Sequence, residues 1–142
     1  MNFDINKLSF SQKIIKPWGE EIIYTPNNSK YTFKQIKIND DCRLSLQSHT
    51  DKTETFLLIS GQADLVIGQD INQLQTINLK INQSYTVPVD TIHRLVGVKN
   101  ATVLEASTPE TGTTIRHQDD YNRPDETENL RNENNRGWKL DK

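Results

Sequence analysis

The sequence predicts an all-β domain, a sandwich or barrel of about eight or nine short strands. Three observations predict it. Apolar and β-branched runs of about 4–8 residues recur from Glu20 to Ala106. Clusters of Asn, Asp, Gly, Pro and Ser separate them. No stretch before residue 110 keeps a helical period for ten residues.

Taken in order, the expected strands are Glu20 to Tyr24, Tyr31 to Ile38, Leu44 to His49 and Thr55 to Ile59. Then come Ala63 to Ile67, Thr76 to Ile81, Ser84 to Val87, Ile92 to Val98 and Ala101 to Ala106. The expected turns include Pro26 to Ser29, Asn39 to Asp41, Ser60-Gly61, Gly68 to Asp70, Val89 to Thr91 and Lys99-Asn100. After Pro124 the composition changes: Asp125 to Arg136 carries one leucine among Glu, Asn, Arg, Asp and Thr. Such a segment buries too little apolar area to offset its ordering, so a solvated tail or a weak helix is expected. Trp138 and Leu140 lie beyond it and offer a docking point. The expected division is a barrel domain over 1–123 (core 16–110) and a polar tail over 124–142.

Composition narrows the class. The 142 residues include 17 Lys+Arg, 19 Asp+Glu and three His, for a net charge of −2. That argues against phosphate-backbone binding, which needs a basic face, so no nucleic-acid partner is expected. Hydrophobic residues make up 33% and mean hydropathy is −0.74, so the core must come from part of the chain. No apolar run approaches the ~20 residues that span a bilayer. Met1 to Phe10 lacks a basic start and a cleavage pattern, so no secretory leader is expected. A lone cysteine, Cys42, cannot close an internal disulfide, which fits a reducing, cytoplasmic setting.

The chemistry concentrates around Arg43-Leu44-Ser45-Leu46-Gln47-Ser48-His49. Strand alternation puts Arg43, Ser45, Gln47 and His49 on one polar face. Glu54 opens the next apolar run, and His93 follows a turn about forty residues on. Two imidazoles, a carboxylate and an amide oxygen suit a divalent transition metal.

The spacing resembles the two cupin motifs. Asp41, five residues, Gln47-x-His49, four residues, Glu54, six residues and Gly61 is similar to the first. Asn82, five residues, Pro88-x-Asp90, two residues and His93 is similar to the second. The family has glycine where Asp41, Asn82 and Asp90 stand, all turn positions where Asn and Asp adopt left-handed backbone. It has histidine where Gln47 stands and Asn where Gly97 stands. The match narrows to the type II mannose-6-phosphate isomerase cupins. It rests on Lys16-Pro17-Trp18-Gly19-Glu20-Glu21, Ile92-His93-Arg94-Leu95, Glu105 to Pro109, Ile115-Arg116 and Asp119 to Arg123. Those isomerases show His-His-His-Arg-Ala-Glu where this chain has His49-Thr50-Asp51-Lys52-Thr53-Glu54.

The resemblance implies a cupin double-stranded β-helix, a jelly-roll barrel, holding one divalent ion: zinc, or else Mn, Fe, Co or Ni. Its implied ligands are Gln47, His49, Glu54 and His93, with Asp51 an alternative to Gln47. Parity aims Lys34 and Glu105 inward, where each serves the other or an anionic substrate. Glu105, Glu20 and Lys34 are the candidates for the proton-moving group, with Arg94 beside them. Arg43, Ser45, Arg116 and Tyr121 are the candidate substrate contacts, arginine suiting phosphate. Trp18 is expected to close one barrel end, and His117 and Cys42 to stand apart from the site. The implied activity is mannose-6-phosphate/fructose-6-phosphate isomerisation by a homodimer. The alternatives are an isomerase or epimerase on another sugar or nucleotide sugar of polysaccharide biosynthesis, and a sugar-binding cupin without catalysis.

Overall fold

Residues 12–133 and Arg136 are described by the computed structural model of this chain. Nine strands form one curled antiparallel sheet. They are β1 (Gln12–Lys16), β2 (Gly19–Ile23), β3 (Thr32–Ile38), β4 (Leu46–His49), β5 (Glu54–Gly68), β6 (Gln75–Asn78), β7 (Ser84–Val87), β8 (Ile92–Ser107) and β9 (Thr114–Gln118). A four-residue helix, α1 (Glu128–Arg131), follows, capped by the Thr127 hydroxyl. Among the described residues no helix is long and apolar enough to cross a membrane.

Two expected turns are corners instead. The runs on either side of Gly61 join as the 15-residue β5, and those flanking Lys99-Asn100 as the 16-residue β8. Gly61 (φ +78°) and Asn100 (φ +47°) lie opposite one another, where the β5–β8 register shifts. Extra residues at such a shift bend the ribbon without breaking it. A Cβ on Gly61 would stand 2.1 Å from the Asn100 carbonyl oxygen, so this corner admits only glycine. Strands β1 and β9 were not expected. Both sit at the ends of the β1-β2-β3-β8-β4-β9 order and carry weak apolar patterns. The left-handed backbone expected at Asp41, Asn82 and Asp90 is present, with φ of 59°, 64° and 57°.

The inward stripes are split along their length. At one end Ile36 and Ile38 of β3, Leu58 and Leu65 of β5, and Ala101 and Val103 of β8 pack with Trp18, Leu44 and Leu79. Val103 is fully buried and registers against Ile36 and Leu58. At the other end the same stripes continue as Lys34, Glu54, Glu105 and Ser107, all buried. Lys34 registers against Glu105, and Glu54 against Ser107. Half of the barrel interior is thus apolar core and half is an ionic cavity, which accounts for the low apolar fraction.

The polar segment after Pro124 includes a short helix, one of the two forms expected, but its charges are not all solvated as expected. Glu126 is 3% exposed and exchanges two backbone hydrogen bonds with Thr114. Four cations surround its carboxylate, and that pairing removes the cost of burial that composition alone would assign. Trp138, Leu140 and Met1 to Phe10 lie outside the described residues.

Candidate metal centre and ionic cavity

Three strand ends converge at the polar end of the barrel. His49 closes β4, Glu54 opens β5 and His93 stands second in β8. Their exposures are 5%, 1% and 1%. One ligand atom from each lies within 4.8 Å of the others, so the group could hold a metal ion. Glu54 Oε1 is 3.3 Å from His49 Nε2 and 2.5 Å from His93 Nε2.

Proton positions follow from the partners. His93 Nδ1 lies 2.8 Å from the Thr91 carbonyl, which only accepts, so the ring proton sits on Nδ1. His93 Nε2 and Glu54 Oε1 are turned toward each other, both buried and neither with a geometrically satisfied hydrogen bond. Buried polar atoms left so are costly, and a cation between them would remove that cost. His49 Nδ1 is 3.0 Å from the Thr114 hydroxyl, which orients that ring likewise. Burial, with the Lys52 ammonium adding to it, holds the His49 imidazole below its ordinary pKa, favouring the neutral ligand form. This donor set fits a divalent transition metal.

Gln47 registers against both His93 and Arg116, so β4 brings it to the same place. Its Oε1 accepts from the Ser45 hydroxyl at 2.6 Å, and its Nε2 lies 3.4 Å from His49 Nε2. Asp51, the alternative, is exposed and accepts from Thr50, away from the group.

A buried ionic wall adjoins the centre. Lys34 Nζ lies 3.3 Å from Glu21 and 3.6 Å from Glu105. Lys52 Nζ lies 3.1 Å from Glu54, 3.5 Å from Glu105 and 3.8 Å from Glu110. Burial pushes the Glu105 carboxyl up to about 7, against the opposing pull of Lys34 and Lys52. Burial would also raise Glu21, but the Lys34 ammonium outweighs it and holds that carboxyl at about 2.

Ser45, Gln47, His49, His93, Lys34, Glu105 and Arg116 all line this one cavity. Several expected residues do not. Arg94 follows His93 on the strand, so it faces the other side of β8, where its Nε donates to the Leu44 carbonyl at 3.0 Å. Arg43 pairs with the Asp120 carboxylate at 2.7 and 2.8 Å on the exposed side. Ser45 keeps the parity of Gln47, but Arg43 lies outside β4 and its side chain turns to Asp120 instead. Tyr121 packs against the core cluster with the Arg123 guanidinium over its ring. Glu20 pairs outside with Lys13 and Lys37, and its neighbour Glu21 is the inward carboxylate. The sequence reading missed Lys52, Glu110, Glu126 and Arg136 in the cavity wall. Only Lys52 carried a signal, as a cation where the isomerase pattern has arginine.

A curled antiparallel sheet with a His/Glu/His group at one end of its interior defines a cupin. The chain belongs to the mannose-6-phosphate isomerase C-terminal family, which it matches over residues 4–125. It is 28% identical over 110 residues to a mannose-1-phosphate guanylyltransferase of Salmonella muenchen, covering 75% of this chain and 21% of that protein. It is 29% identical over 83 residues to the alginate biosynthesis protein AlgA of Pseudomonas aeruginosa, covering 58% of this chain and 16% of that one. The chain thus spans about a fifth of the length of these relatives. Among solved structures, oxalate decarboxylase of Lactobacillus farciminis shares the fold, with a TM-score of 0.63, 14% identity, and coverage of 75% of this chain and 33% of that one.

Proposed function

We propose that this chain is a metal-dependent sugar-phosphate isomerase that interconverts mannose 6-phosphate and fructose 6-phosphate. The observation that carries the reading is the convergence of His49, Glu54 and His93, with His93 Nε2 and Glu54 Oε1 buried against each other, in a chain of the mannose-6-phosphate isomerase C-terminal family. His49, Glu54 and His93, with Gln47 as a fourth donor, would hold the ion, zinc being the first choice. When bound, such an ion polarises the substrate carbonyl and steadies the enediolate oxygens. Glu105 takes the C2 proton and returns it to C1, while the hydroxyl proton passes from O2 to O1. Lys34 and Lys52 hold the carboxylate in place on either side. Ser45 fixes the Gln47 amide, and Arg116 offers its guanidinium to the phosphate.

His49→Ala and His93→Ala are expected to lose both the bound ion and turnover of mannose 6-phosphate. Full metal content and rate in either variant would overturn the proposal. One observation favours a second reading, an isomerase or epimerase on another sugar or nucleotide sugar. Gln47 replaces a family histidine and its carbonyl oxygen is engaged by Ser45. Turnover across a panel of sugar phosphates and nucleotide sugars separates the two, and absence of any turnover leaves a sugar-binding cupin.

A further inference from the structure

The cavity wall farthest along β9 is cationic, and one carboxylate occupies it. Glu126 lies 3.0 Å from Arg131, 3.3 Å from Arg136, 3.5 Å from Arg116 and 4.0 Å from Lys16. Of these four cations Arg136 also reaches the Glu110 carboxylate, which serves Lys52 as well. Glu21 is engaged by Lys34. The pairing leaves donors unused. Arg116 Nε and Arg136 Nε are buried and have no acceptor, and Lys16 Nζ reaches Glu126 only beyond hydrogen-bond distance. The two carboxylates and the neighbouring carbonyls thus leave the Arg116 Nε and Arg136 Nε donors unmet, whereas a phosphate presents three oxygens and carries up to two charges.

The cluster adjoins the metal centre. Arg116 registers against Gln47, which registers against His93, and Thr114 joins the His49 ring to the Glu126 backbone. Glu126, Arg116, Arg136 and Lys16 all stand in the wall of the cavity that holds the His49, Gln47 and His93 side chains.

We propose that Lys16, Arg116 and Arg136 form the phosphate subsite of this cavity, and that the Glu126 carboxylate is a resident anion that the incoming phosphate displaces. The inference rests on the sugar-phosphate reading above for its ligand. The two hydrogen bonds to Thr114 are made by the Glu126 backbone, so the side chain can swing out while the strand bridge stays closed. Glu126 is in this sense a gatekeeper and not a catalytic residue.

Calorimetric titration of the full chain with inorganic phosphate tests it. Glu126→Gln keeps the shape and removes the competing charge, and is expected to bind phosphate at least tenfold more tightly than the unaltered chain. Adding Arg116→Gln or Lys16→Met is expected to abolish that gain. A folded Glu126→Gln that binds no more tightly, or a gain that survives both added substitutions, overturns the proposal. If Glu126→Gln does not fold, the unaltered chain is melted in phosphate and in chloride at equal ionic strength. Phosphate is expected to raise Tm, and less so in Arg116→Gln; equal shifts, or none, overturn the proposal. Turnover of mannose 6-phosphate with unchanged phosphate binding in Glu126→Gln would sink this subsite alone. Absence of turnover with the tenfold gain intact would sink the isomerase reading alone.

Discussion

Replacing Lys34 with methionine probes whether charge compensation holds the ionic wall together. The thioether fills much of the space of the lysine stem, so the main loss is the ammonium. That ammonium stands between Glu21 and Glu105, with all three side chains at most 8% exposed. Removing one partner from a buried charge cluster costs about 3–5 kcal/mol. For a domain of this length, at about 4 °C per kcal/mol, Tm should fall by roughly 12–20 °C. The pH dependence gives a sharper signature. In the unaltered chain Glu21 is held at about 2, below its unfolded value. Its contribution is therefore complete above about pH 4.5 and is lost as pH falls from there toward 2. In Lys34→Met only Lys16 and Arg136 oppose burial at Glu21, so its carboxyl rises, and Glu105, already at about 7, loses its strongest cationic neighbour and rises further. A carboxyl raised above its unfolded value loses stability as pH rises, so the larger shift at Glu105 makes the variant's deficit grow above about pH 7. Urea unfolding followed by far-ultraviolet circular dichroism should show a larger deficit at pH 8 than at pH 5. A deficit below about 1 kcal/mol at pH 8, the range of an exposed pair, or the same deficit at both pH values, would refute the reasoning.

Thr114→Val removes the hydroxyl that orients His49 and should weaken metal binding by about 10–100-fold while leaving Tm of the metal-free protein within a few degrees; competition with a chelator measures it. Gly61→Ala forces a Cβ against the Asn100 carbonyl at a positive φ and should cost more than about 1 kcal/mol in urea unfolding. Leu58→Ala, at 1% exposure in the apolar half, should cost about 2–5 kcal/mol in the same assay. Arg43→Ala breaks only the exposed Asp120 pair, so stability should change by less than about 1 kcal/mol and turnover not at all.

The metal centre was legible because its ligands sit on short strands at spacings that a local motif fixes. Lys34 and Glu105 were legible for a related reason: period-two alternation in β3 and β8 is regular through both positions. Glu20 and Arg43 were misplaced where that regularity fails. Gly19, with φ +154°, offsets the alternation between Trp18 and Glu21, and Arg43 precedes the regular part of β4. Lys52 lies in a turn, and its partners Glu105 and Glu110 are more than fifty residues away. Glu126 was read as solvated because hydropathy registers what a residue lacks in apolar surface and not what pairs with it. The corners at Gly61 and Asn100 read as turns since each carries turn chemistry. Only their apposition across the β5–β8 ribbon converts two breaks into one bend.

That ribbon has a mechanical side. His93 registers against Ile67, thirteen residues along β5 from Glu54. Laid straight, that length would part them by roughly 43 Å at about 3.3 Å per residue, yet their side chains touch at 2.5 Å. The two longest strands therefore form a hoop, and the metal ligands are its two free ends. An ion held there works as a clasp. It would lock the ring where Glu54 and His93 meet. A pulling experiment along the strands should find the ring opening at this fastening first, with the apolar half still shut.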